Sequence, residues 1–247
     1  VLASLPADGV GLASLAADLL GDAHALDRGR PTASYVLDAV AAIRGRSRAT
    51  DAEGARLLWE EVGVVPDPLS STVLVLGLRP AAAEEPVVLT LDQLRRRPVP
   101  PLPAGDLAFI VENPALVSEA VARGWSGPPL VCSSGRPSIA VITLLRQLGA
   151  HGATLAQHAD FDAGGLRITS WLAERAGTTP WRMTAADYLA AVALPRDRVP
   201  FRGRLPPSPW DPALQGAMET RGVAVHEEEL RGELLSAMGS HLGAARE

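Results

Sequence analysis

The chain has 247 residues, 47% of them hydrophobic, and a formal net charge of -5. That is enough apolar material for one large core or two small ones, which excludes wholesale disorder. The acidic balance excludes a generic basic coat for nucleic acid, and no run reaches the roughly 20 apolar residues of a membrane span.

Every fixed side-chain cation is arginine, since lysine is absent, and Asn113 is the single asparagine. A GC-rich genome explains this bias, but arginine's planar fork still suits carboxylate or phosphate. The lone Cys132 has no internal disulfide partner. No basic region precedes an apolar one at the start, so no signal peptide is visible. Both features point to a reducing, cytoplasmic compartment. The chain opens at Val1 in sequence of helical character, and we expect an N-terminal part to precede it.

In chain order, Leu12, Leu15, Leu19 and Leu20 have helical spacing up to Gly21. Tyr35, Val36, Leu37, Val40 and Ile43 predict a second helix, and 51–62 a third with Asp51 as N-cap. Val73–Leu76 and Val87–Leu89 then read as a hairpin-like pair of strands. A short helix from Thr90 to Arg97 follows. Residues 1–97 are thus expected to form a helical or α+β region of winged-helix-like character. The stretch 98–105 (PVPPLPAG) is too rich in proline for helix or central strand and is the expected linker.

From 106 to 247 the pattern alternates. Strands are predicted at Leu107–Val111, Pro129–Cys132, Ala153–Ala159 and Trp181–Met183. Helices are predicted at 114–123, 137–148 and 165–176, with another from Ala185. Beyond a Pro/Arg-rich stretch come a helix, a strand at Val223–Val225 and a last helix from Glu227. This predicts an α/β fold with a mostly parallel sheet flanked by helices.

Ligands of such sheets gather at the carboxyl ends of the strands. There the first strand runs into Glu112-Asn113-Pro114, and the third into His158-Ala159-Asp160-Phe161-Asp162-Ala163-Gly164-Gly165. Residues two apart on an extended segment share a side, so Asp160 and Asp162 would aim their carboxylates one way. Three hard oxygen ligands suit Mg²⁺ or Mn²⁺. Read alone, D-x-D is also an ordinary helix N-cap pair.

A Glu after the first strand with D-x-D after the third resembles the Toprim domain of topoisomerases, primases and related nucleases, over roughly residues 105–190. The stretches VENPALV, VCSSGRPS and HADFDAGG are similar to a bacterial Toprim family found beside SMC-like genes, which includes JetD, the nuclease subunit of the Wadjet plasmid-defence system. LLGDAHALDRG and LWEEVGVVPDPLSSTVLVLGL resemble the same family. The resemblance implies that Glu112, Asp160 and Asp162 are metal ligands and catalytic residues of an Mg²⁺- or Mn²⁺-dependent DNA endonuclease. It also implies a homodimer, SMC-like and kleisin partner subunits, DNA as substrate and an additional N-terminal domain.

Secondary candidates for phosphate contact are Ser133, Ser134 and Arg136 ahead of Pro137, together with His158, Arg202 and Arg204. Each has a bland counterpart: an ordinary helix cap, a strand-edge filler, or solvated linker charge. Glu227–Glu229 reads as acids favouring a helix dipole, with a supplementary ligand as the minor reading. Three other functions are weighed. A non-catalytic Toprim-like module would bind DNA or a partner. A topoisomerase-like transesterase would need a tyrosine nucleophile, and Tyr35 and Tyr188 are the two available, Tyr35 in a run that suggests packing. A haloacid-dehalogenase-type phosphatase would need D-x-D after its first strand, where this chain lacks it.

Overall fold

A computed structural model describes residues 1–78, 85–103, 105–201 and 203–244. The chain forms two compact units. The first comprises Val1–Thr72, Thr90–Arg96 and Ser138–Ala140; the second comprises Val73–Leu89, Arg97–Pro137 and Val141–Glu247.

The first unit is helical. α1 (Leu12–Leu20) ends on left-handed Gly21, α2 (Pro31–Ile43) starts on a proline, and α3 (Ala52–Glu61) is capped by Asp51, whose carboxylate accepts the Gly54 N–H at 2.7 Å. Their apolar faces meet in a core of Leu15, Leu26, Val36, Val40, Leu58 and Trp59. Two short parallel strands close it, β1 (Val10–Gly11) and β2 (Val64–Val65). They carry no sequence signal, being only two residues each. Gly63 enters β2 with φ +75°, and a Cβ there would lie 1.7 Å from the Ala7 carbonyl oxygen, so the position demands glycine.

The second unit is built on a six-stranded mixed sheet. Its strands are β3 (Thr72–Leu76), β4 (Val87–Thr90), β5 (Leu107–Val111), β6 (Leu130–Cys132), β7 (Thr154–Gln157) and β8 (Thr179–Pro180), in the order β4-β3-β6-β5-β7-β8. β5 is parallel to β6 and β7, and β7 to β8, whereas β3 is antiparallel to β6. The strands read from sequence as a wing beside the N-terminal helices therefore extend this sheet. Val73, Val75 and Leu76 are buried there, which a hairpin on a small helical unit could not offer them. The helix after them is α4 (Leu91–Arg96). Residues 98–103 are irregular, as their prolines require, but Val99 is buried and its N–H donates to Gln147.

The connecting helices are α5 (Pro114–Ala122), α6 (Ile139–Ala150) and α7 (Ala163–Ala176). Then come α8 (Ala185–Ala193), α9 (Pro212–Arg221) and α10 (Glu227–Ala244). The core joins Phe109, Val111, Leu116, Phe161, Leu166, Tyr188, Met218 and Met238, so α8, α9 and α10 share it with the sheet. Two expected strands differ. The last strand lies at 179–180 rather than 181–183. Residues 223–225 make only isolated antiparallel bridges, Phe161↔Val225 and Pro200↔Val223. Among the described residues no helix is long and apolar enough to cross a membrane.

Candidate metal centre at the strand ends

β5 and β7 are adjacent and parallel, with Ile110 opposite Gln157, so the segments that leave them run side by side. The His158 N–H continues the ladder to the Ile110 carbonyl at 2.9 Å. One residue beyond β5, the Glu112 carboxylate accepts the N–H of Asp160 at 3.2 Å. The adjacency expected between the first and third strands of this sheet thus brings Glu112 and Asp160 together.

A third segment completes the cluster. Phe161 turns into the core and bridges Val225 through an N–H···O bond of 2.8 Å, which lays residues 226–228 along Asp160. Asp160 Oδ1 accepts the Glu227 N–H at 2.7 Å, and Oδ2 lies 3.0 Å from His226 Nδ1. Ligand atoms of Asp160, His226 and Glu228 all fall within 4.8 Å of one another, and among the described residues they are the group of three that does so. Two carboxylates and an imidazole are a donor set that fits Mn²⁺ or a similar divalent ion, and Mg²⁺ less well because of the nitrogen.

The three acids expected from sequence are therefore placed unequally. Asp160 is the hub and Glu112 its immediate neighbour. Asp162 caps α7, accepting the Gly165 N–H at 2.7 Å. Its charge still acts on Glu112, Asp160 and His226. Glu228 is where the sequence allowed a supplementary ligand as its minor reading, and His226 is an addition that the sequence reading did not supply.

Crowding sets the electrostatics. Burial, then the Asp160 carboxylate, push the Glu112 carboxyl up to about 8. Burial also raises Asp160, against the opposing bonds from Glu227 and His226. The Asp160 carboxylate in turn raises His226. Acids this reluctant to ionise together gain by a cation between them.

Beneath this layer, Glu227 is wholly buried. Its carboxyl accepts the Asn113 N–H at 2.7 Å and meets His158 Nδ1 at 3.0 Å. Burial pushes Glu227 up and His158 down to about 4, so both favour the neutral form. His158, a sequence candidate for phosphate contact, is 2% exposed and packs edge-on against Phe161. Phosphate cannot reach it.

The loop after β6 also departs from expectation. α6 begins at Ile139, not Pro137. The N–H groups of Ser133 and Gly135 are used by the Val111 and Glu112 carbonyls at 2.9 and 3.1 Å. Ser133 is buried, with its hydroxyl also on Val111 at 3.4 Å. The anion cradle read from these small residues is therefore spent on holding the β5 end. Ser134 and Arg136 are exposed, as is Arg204; Arg202 lies outside the described residues. Cys132 is the buried strand residue expected, its thiol pushed up by burial.

The tyrosines divide. Tyr188 is fully buried and its hydroxyl donates to the Val223 carbonyl at 2.8 Å. Tyr35 is 75% exposed on α2 rather than packed.

Comparison with known families gives two matches. Residues 87–238 match the family described as "Protein of unknown function C-terminus (DUF2399)". Residues 1–80 match "Protein of unknown function N-terminus (DUF3323)". No curated protein matches the chain.

Proposed function

From the premise that the chain belongs to the family matched over residues 87–238, we propose that it is a metal-dependent DNA endonuclease of Toprim type. In this reading it is the JetD-like nuclease subunit of an SMC-like, kleisin-containing anti-plasmid complex, acting as a homodimer. Both matched families are associated with JetD-like proteins, which supports that assignment. The observation that carries the chemistry is Asp160, bonded to Glu112 on one side and to His226 on the other with Glu228 alongside, where two parallel strands end.

Asp160 and Glu228, with His226 and Glu112 beside them, would hold the divalent ion. When bound, such an ion supplies charge stabilisation for a phosphodiester under attack and for its departing oxygen. The protein's own residues do the rest. The Glu227 N–H and His226 fix the Asp160 carboxylate in one orientation. Glu112, whose carboxylate already accepts the Asp160 N–H, is the acid beside this group suited to exchanging a proton with an attacking water. Water is the preferred nucleophile because Tyr188 is buried in packing, and the exposed Tyr35 belongs to the first unit, not to the unit that carries the acids. The net charge of -5 argues for a weak grip on DNA by this chain alone, with partners supplying the rest.

The test is plasmid cleavage with Mg²⁺ or Mn²⁺ by the full assembly. Wild type should linearise the plasmid and Asp160→Ala should not. Equal cleavage by both overturns the nuclease reading.

A further inference from the structure

We infer that Glu227 is a positioning residue for the proposed metal centre, acting on Glu112 and Asp160 through the backbone and not as a ligand itself. The inference rests on the nuclease reading above and extends it to a residue below the ion's reach.

Glu227 ties two strand-end segments together, through its side chain and its backbone N–H. Its carboxyl accepts the Asn113 N–H at 2.7 Å, fixing the turn where β5 delivers Glu112. Its other oxygen meets His158 Nδ1 at 3.0 Å, in the segment between β7 and Asp160. Its own N–H donates to Asp160 Oδ1 at 2.7 Å. Glu227 itself is 0% exposed, so solvent cannot replace any of these bonds. The neighbouring Glu228 bonds the Asn113 side chain, which adds a second tie between the start of α10 and the same turn. A helix-dipole role explains none of this, because a carboxylate serving only the dipole would face outward at the first turn. The geometry is that of an outer partner which orients groups that touch the ion.

Two conservative variants separate reach from acidity. Glu227→Gln keeps the length, an oxygen for the backbone donor and the neutral state, but is no longer an acid. Glu227→Asp stays an acid but is one methylene too short to reach Asn113. Mn²⁺ affinity of the chain, by electron paramagnetic resonance titration, and hydrogen exchange of the 112–113 amides are the readouts. Positioning predicts Glu227→Gln within about threefold of wild type, and Glu227→Asp about ten- to a hundredfold weaker with faster exchange at 112–113. Wild-type Mn²⁺ binding by Glu227→Asp, or Glu227→Gln weaker than Glu227→Asp, overturns the positioning role alone. A wild type that binds no Mn²⁺ overturns the metal centre, and this inference with it.

Discussion

The backbone N–H of Asp160 donates to the Glu112 carboxylate across 3.2 Å, and after burial the Asp160 charge is what most raises Glu112. The consequence is a pH dependence of stability. Glu112 titrates at about 8 in the folded protein against an ordinary 4.5, so between those values the folded state holds a proton that the unfolded state has released. Stability contributed by Glu112 therefore falls as pH rises towards 8. The raised Asp160 acts in the same sense, and so does His226, whose contribution is lost as pH rises through its folded value. His158, depressed to about 4, acts oppositely but only below its ordinary 6.5. The clean window is pH 6.5 to 8.5. There the metal-free protein should lose stability, about 2 kcal/mol of it from Glu112. Urea unfolding across the window should show a shallower decline for Glu112→Gln than for wild type.

The two glycines after the D-x-D segment should respond differently to alanine. A Cβ on Gly165 would lie 2.0 Å from the Asp160 carbonyl oxygen and under 3.0 Å from two more of its backbone atoms, none of which can swing away. A Cβ on Gly164 meets only the Asp162 Oδ1 atom, at 3.1 Å. Gly165→Ala should cost about 3 kcal/mol and displace Asp160, whereas Gly164→Ala should stay within about 1 kcal/mol. Thermal unfolding with Mn²⁺ titration of both variants checks this. The space beside Gly165 is taken by Asp160's own backbone.

Tyr188→Phe, with Tyr35→Phe tested beside it, separates hydrolysis from strand transesterification. The first variant loses one hydroxyl bond to Val223, about 1 kcal/mol of stability, and both should cleave as well as wild type. Cleaved plasmid from any of these proteins should carry no covalently bound protein after a denaturing quench. A protein–DNA adduct formed by wild type and absent from Tyr188→Phe or Tyr35→Phe would establish a tyrosine nucleophile instead.

Much of the sheet was legible because its signals are local. Apolar runs such as Leu107–Val111 and helix starts such as Asn113-Pro114 and Asp162 declare themselves within a few residues. Asp160 and Glu112 were legible for the same reason, since each follows a locally recognisable strand and the first and third strand ends of such a sheet can be neighbours. His226 was not, and Glu228 was only the minor reading of its triplet. They lie more than 60 residues beyond Asp160, and an acid triplet opening a helix looks like dipole compensation. What brings them in is the Phe161↔Val225 bridge, a contact too short to leave a strand pattern. The β3–β4 pair was visible as strands, but nothing local told which unit they would join.

His226 gives the site its one nitrogen donor, and that should show in metal preference. Mg²⁺ takes oxygen ligands and keeps its water, while Mn²⁺ accepts imidazole more readily. His226 Nδ1 also lies 3.0 Å from Asp160 Oδ2, so the ring steadies that carboxylate whichever ion binds. His226→Ala removes both effects, and only the second is shared by the two ions. Mn²⁺ affinity should fall about tenfold and Mg²⁺ affinity about threefold or less. Calorimetric titration of wild type and variant with each ion measures the ratio. Equal losses for both ions would mean that His226 serves only to orient Asp160, leaving a site made of oxygen alone.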